Sequence, residues 1–207
     1  MSTTMHRPAA AGQPTARWRR FVNERPIVAL LLTGLIATQL GTYFGYVFPA
    51  FGLPPLPWPL YNGILGTTIA DGFNKSVVDE AFAVSGEAFF VGNTLHYING
   101  IVFAVLWGVF FRDSVPFKNT YGGNIMKGLL YGLIMTIISA GLLVPYAYVP
   151  EQGYGFFLFD GPDGWKLPLG ILIWHLIYGY FLGALWNPHD IGEEHVTVRV
   201  DTVTIEA

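Results

Sequence analysis

The chain has 207 residues, of which 52% are hydrophobic and 12% charged, with a net charge of −3 and no cysteine. A soluble domain carries about a quarter charged residues, and a water-soluble globule of this size has no room to hide so much apolar surface. The missing cysteines exclude disulfides, thiolate metal sites and cysteine nucleophiles.

Residues 1–26 form a basic leader to the apolar part, with Arg7, Arg17, Arg19, Arg20 and Arg25. Residues 27–186 then hold four uncharged runs, at about 27–48, 88–111, 128–149 and 167–186. Each supplies the roughly 20 helical residues needed to cross a hydrocarbon core of about 30 Å. The expected fold class is therefore all-α integral membrane, a four-transmembrane-helix bundle. The first run is too long for the apolar part of a signal peptide and lacks a small-residue cleavage pattern, so it is read as a retained span. Trp58 and Trp165 at one end, with Trp107 and Trp186 at the other, are expected in aromatic belts at headgroup level.

Orientation follows from where the cations fall. Nine Lys and Arg lie before the first run, between the second and third, or in the tail, whereas only Lys75 and Lys166 lie on the opposite side. The positive-inside rule then puts both termini in the cytoplasm. Asp71, Asp79, Glu80, Glu87, Glu151, Asp160 and Asp163 face outward, an acidic surface that disfavours nucleic acid.

The outer loop 49–87 opens with Pro49, Pro54, Pro55, Pro57 and Pro59, and continues as the apolar stretch Leu60 to Ala70, too short to span. A re-entrant or interfacial segment is expected there. In the second outer loop, 150–166, Phe156, Phe157 and Phe159 would be costly in water and are expected to touch lipid, the first loop or a partner. The tail 187–207 alternates apolar and polar residues from His195 to Ile205, including Val196, Val198 and Val200. Such a strand has no mate in this chain, so it pairs with a partner's sheet or stays unstructured, and its β-branched content favours the partner. The run His189 to His195 has His and Glu at helical spacing but follows Pro188 and reads as a solvated turn.

An internal repeat links the two halves. HYINGIVFAVLW from His96 matches HLIYGYFLGALW from His175, and GLIAT from Gly34 matches GLIMT from Gly132, in the same order. Two spans restore the direction of the chain, so the copies are parallel hairpins related by an axis along the membrane normal. Within each match His, Gly, a small residue and Trp fall at relative positions 0, 4, 8 and 11, one helical stripe. Gly100, Ala104, Gly179 and Gly183 are therefore expected to be helix-packing positions, with spans two and four meeting or nearly meeting at the centre.

His96 and His175 are the ionisable residues well inside the spans, each nine positions after the last outer-side charge. That is about 13 Å of helix rise, near mid-membrane. Intramembrane ionisable groups are functional candidates. Two imidazoles at one depth suggest axial ligation of a b-type haem, or a metal, with Gly100 and Gly179 leaving room for a macrocycle. The competing reading is that each neutral His hydrogen-bonds a neighbouring helix and locks the packing. No P-loop, dinucleotide fingerprint or Ser-His-Asp order is present, and no Asp, Glu, Lys or Arg lies mid-span.

The repeat residues, together with Tyr131, Gly132 and a polar-poor span ending near Pro145, resemble the YagU-like group of small four-helix bacterial inner-membrane proteins. The resemblance covers about Gly34 to Trp186 and implies a multi-pass bundle without implying an activity. The long proline-rich loop and the strand-like tail depart from that pattern. Those features, with the aromatic loop, lead to the expectation of a non-catalytic accessory or assembly subunit whose partners are other integral membrane subunits and the lipid bilayer. A bis-His haem electron-transfer subunit and a small cation or proton pathway are the alternatives.

Overall fold

The computed structural model describes residues 14–70, 86–148 and 153–188. All regular structure among them is helical, and four helices are long and apolar enough to cross a membrane: Pro26–Phe51, Phe89–Ser114, Tyr121–Tyr148 and Lys166–Leu185. The chain is a multi-pass membrane protein. Leu32, Ile36, Val102, Leu133 and Ile137 point out of the bundle, as side chains do where the solvent is hydrocarbon.

Helix α1 (Pro14–Glu24) is basic and short. Pro26 then stands at the first position of α2 (Pro26–Val47), where its missing N–H costs nothing. After the prolines, α3 (Trp58–Ala70) runs 13 residues, a half-span where a re-entrant or interfacial segment was expected. The second span is α4 (Gly86–Leu106), continued by a π-helical turn over Trp107–Phe111. The third begins as α5 (Tyr121–Ile138), seven residues earlier than the hydropathy suggests, because the Thr120 hydroxyl caps it by accepting from Gly123 N–H. It ends as a π-helix over Ser139–Tyr148 that contains Pro145. A proline lacks the donor for an ordinary helical bond, and a widened turn accommodates the loss. Helix α6 (Lys166–Leu185) is the fourth span.

The helices alternate in direction. Trp186 Nε1 donates to Pro26 O and Trp18 Nε1 to Leu185 O, at 2.8 and 2.6 Å, so the start of α2 and the end of α6 share one end with α1, the terminal end. Around the ring the order is α4, α2, α6, α5. Helix α2 rests Gly34 on Gly100 and Ala104 of α4, and Gly41 and Gly45 on Trp174 of α6. Helices α5 and α6 touch backbone to backbone: a Cβ at Gly128 would collide with the Gly179 carbonyl, one at Gly179 with the Gly128 carbonyl, and one at Gly132 with that of His175. The ring closes between α4 and α5 at the terminal end, where Phe111 and Tyr131 lie 5.1 Å apart and Tyr131 Oη donates to Phe103 O. At the opposite end α3 fills the interval, with Trp58 and Tyr61 against Tyr148.

The glycine stripes thus serve contacts inside each hairpin. Gly34 faces Ala104, Gly100 O and Ile101, whereas its sequence counterpart Gly132 faces His175 O and Leu176, four residues earlier in the matched frame, a slide of about one turn. Thr38 and Ala104 keep the first pair of helices apart, while glycine on both sides of the second lets the main chains meet. Spans two and four approach through side chains, the Tyr178 hydroxyl donating to Gly100 O at 2.6 Å. Of the four tryptophans expected in headgroup belts, Trp165 is exposed, but Trp58, Trp107 and Trp186 are buried. Each finds aromatic neighbours inside: Trp58 finds Trp174, and Trp107 packs on Trp186.

Gly128→Leu forces α5 and α6 apart and is expected to cost more than about 3 kcal/mol. Gly122→Ala, into open space, is expected to stay within about 0.5 kcal/mol. Unfolding in detergent measures both, and equal effects would refute the backbone contact.

Candidate functional site at the centre of the bundle

A directed hydrogen-bond chain crosses three helices near the middle. Thr38 and Thr42 on α2 each donate to the carbonyl four residues back, Gly34 O and Thr38 O, at 2.8 and 2.7 Å. With its proton so used, Thr42 Oγ1 accepts from His96 Nε2 at 2.7 Å, which assigns the His96 proton to Nε2 and leaves Nδ1 an acceptor. Asn62 of α3 faces that Nδ1 with its amide nitrogen at 3.4 Å, and the same nitrogen donates to Trp58 O at 2.8 Å. Asn99 Nδ2, one turn beyond His96, donates to Asn62 Oδ1 at 2.5 Å. Asn62 thereby fastens the half-span to α4, and His96 fastens α4 to α2. Tyr97, next to His96 on the rim, donates to Gln39 Oε1 and repeats the α4 to α2 link.

His175 is held differently. Its Nδ1 lies 2.9 Å from Ile171 O, and since a carbonyl only accepts, Nδ1 carries the proton and Nε2 is an acceptor without a partner among the described residues. The ring packs edge-on against Trp174 and Trp58, with centroids 5.1 and 6.0 Å away. Trp174 also meets His96 at 5.9 Å and stacks on Tyr178 at 5.7 Å. A cavity of about 70 Å³ lies among these groups, bordered by both histidines, Asn62, Asn99, Ser139 and the rings of Trp58, Trp174, Tyr148 and Tyr178. The π-helical half of the third span supplies Ser139 and Leu143 to its wall; π-turns occur often at functional sites.

A haem does not fit this arrangement. Both His96 nitrogens are engaged, leaving His175 Nε2 as the one free imidazole acceptor of the pair. The room expected beside Gly100 and Gly179 is filled by the Thr38 side chain and the Gly128 main chain. A cavity that takes up a single benzene ring measures about 150 Å³, and the space here, about 70 Å³, is half of that. Among the described residues no group of three or more His, Asp or Glu is placed to hold a metal.

The other positions singled out in the sequence fall as follows. Gly100 and Ala104 pack on α2, and Gly179 and Gly183 on α5. Phe156 and Phe159 are exposed, while Phe157 is half-buried. Val196, Val198, Val200 and the His189 to His195 run lie outside the described residues, as do Asp71, Asp79 and Glu80.

A second polar cluster, at the terminal end, has no counterpart among the sequence expectations. Arg112 is buried, donating through Nε to Asn124 Oδ1 at 2.7 Å and through Nη2 to Asn187 Oδ1 at 2.9 Å, with its guanidinium 5.4 Å from the Trp186 ring centre. Asn124 in turn donates to Gly183 O and Trp186 O, both at 2.7 Å, satisfying carbonyls at the end of α6. Lys127, also buried, donates to Asn119 Oδ1 at 2.7 Å. A count of cations flanking the spans treats such residues as headgroup charges. The asparagines that draw them inside are separated from Arg112 by 12 and 75 positions, and no short motif joins them.

No protein-family model, no curated protein and no solved structure matches this chain.

Thr42→Val removes the acceptor of the His96 proton and is expected to destabilise the bundle by about 1–2 kcal/mol. Thr33→Val removes a buried hydroxyl that has no partner among the described residues and is expected to be neutral or stabilising. Denaturation of the two variants side by side checks the order, and the reverse order would contradict the hydrogen-bond assignment.

Proposed function

We propose that this chain is a non-catalytic accessory or assembly subunit of a larger integral membrane complex in the bacterial inner membrane, its termini cytoplasmic. The observation that carries the reading is the outward aromatic loop. Phe157 and Leu158 both hold left-handed backbone, with φ of 57° and 61°, a conformation that costs a non-glycine residue about 1–3 kcal/mol. The surrounding structure maintains it: Leu158 is fully buried, its N–H donates to Gly155 O at 3.0 Å, and Asp160 N–H donates to Tyr154 O at 3.1 Å. Phe156 and Phe157 meet edge to face at 4.6 Å over Gly141, and Phe159 stacks on Phe157 at 6.3 Å. The strain sustains a fixed aromatic platform whose Phe156 and Phe159 rings remain open. Large apolar surface held rigidly in place suits a protein partner.

The central site supports the same reading. Its hydrogen bonds run from side chain to side chain and end on backbone carbonyls of α2, α3 and α6, which fixes helices, and among the described residues no carboxylate or amine lines it to move a proton. A cation pathway would want such a group near the midplane.

Phe156→Ser with Phe159→Ser is expected to release the chain from its complex in native membranes while leaving its own thermal midpoint within about 2 °C, since both rings are exposed. Cross-linking in membranes and native mass measurement in mild detergent read the outcome. A wild-type chain that is monomeric in both would reject the proposal, and a Soret band lost in His96→Ala would return the electron-transfer alternative.

A further inference from the structure

The ring of helices is closed unevenly. Helices α4 and α5 meet at the terminal end through Phe111, Tyr131 and Phe103, and α3 fills the opposite end against Tyr148. Between those two closures, Asn99 and Phe103 of α4 and Ile138 and Leu143 of the third span all border the central cavity. None of these four is buried, and Ile138 is 45% exposed. This side of an apolar bundle faces hydrocarbon, so these partly exposed residues mark the side from which a lipid can reach the cavity.

The chemistry inside selects what enters. His175 is 4% exposed, and its Nε2 is an acceptor with no partner among the described residues. Ser139 Oγ, also without a partner among them, borders the same space and can donate or accept. Among the described residues no Asp, Glu, Lys or Arg lines the cavity, so an ion would be bare in low dielectric. A carbonyl or ether head offers no proton to His175. Trp58 and Trp174 also line the space, and their indole N–H groups are buried without a partner among the described residues, so the head must accept as well as donate. A hydroxyl does both, donating to Nε2 and accepting from Ser139 or an indole. Size decides the rest, because about 70 Å³ is half the volume of a cavity that takes up one benzene ring, about 150 Å³. A ring-shaped head such as a quinol is too large, whereas the end of an unbranched chain enters.

We propose that the central cavity binds the hydroxyl head of a long-chain primary alcohol, which enters laterally from the bilayer between α4 and the third span, with its tail left in lipid. His175 Nε2 accepts the hydroxyl proton and Ser139 Oγ donates to its oxygen. This site is independent of the aromatic platform and of the partner it binds.

The test is thermal unfolding of the purified chain in detergent with hexadecan-1-ol, its methyl ether and hexadecane. The alcohol is expected to raise the midpoint saturably, by roughly 3–6 °C at ten times its dissociation constant, and the ether and alkane are not. His175→Phe and Ser139→Ala are expected to weaken the alcohol by roughly tenfold each, and Ile138→Trp to abolish its effect by filling the opening. Ser139→Ala removes one atom and keeps the test valid if His175→Phe does not fold. An ether as effective as the alcohol, or a Ser139→Ala variant that responds like the wild type, overturns the proposal.

Discussion

Hydrocarbon offers no hydrogen bonds, so a polar side chain placed in it is costly unless it finds a partner inside the protein. The centre of this bundle is organised by that constraint. Asn99, Asn62, His96, Thr42 and Thr38 satisfy one another in sequence and bind α4, α3 and α2 together. The short helix α3 docks on α4 for the same reason: its Asn62 completes a chain that the full spans leave open. Individual bonds of this kind contribute only about 0.6 kcal/mol on average in membrane bundles, so their larger effect is to select one arrangement of helices.

Packing supplies the other half of that selection. Apolar burial drives little between helices already surrounded by lipid, and close approach of the main chains substitutes for it. Helices α5 and α6 meet through Gly128, Gly132, Gly179 and Gly183 with no room for a methyl group between them, whereas α2 and α4 stand apart on Ala104 and Thr38. That asymmetry shifts the register of the two hairpins, and with α3 inserted beside α4 it leaves space on one side of the bundle.

The spans were legible because charge is excluded from about 20 successive residues at a time, a signal that no tertiary contact can mask. His96 and His175 were legible as intramembrane ionisable groups, and the proline-rich approach to a segment too short to cross marked α3. The pairing of His96 with Thr42 and Asn62 was not legible, since it depends on how α3 docks, and nothing in the residues 49–70 encodes that depth. The matching letters around His96 and His175 suggested equivalent surroundings, yet one imidazole is tied on both sides and the other on one. Arg112 and Lys127 were counted toward orientation, and their burial depends on Asn124, Asn187 and Asn119, contacts made across the fold.

The most direct test of this account is the nitrogen NMR spectrum of the two buried imidazoles, assigned by single substitution. His96 is expected to carry its proton on Nε2 and His175 on Nδ1, so the pair shows two opposite tautomer patterns. Finding both histidines in one tautomer would contradict the hydrogen-bond chain through Thr42, and with it the arrangement of α2, α3 and α4 about the centre.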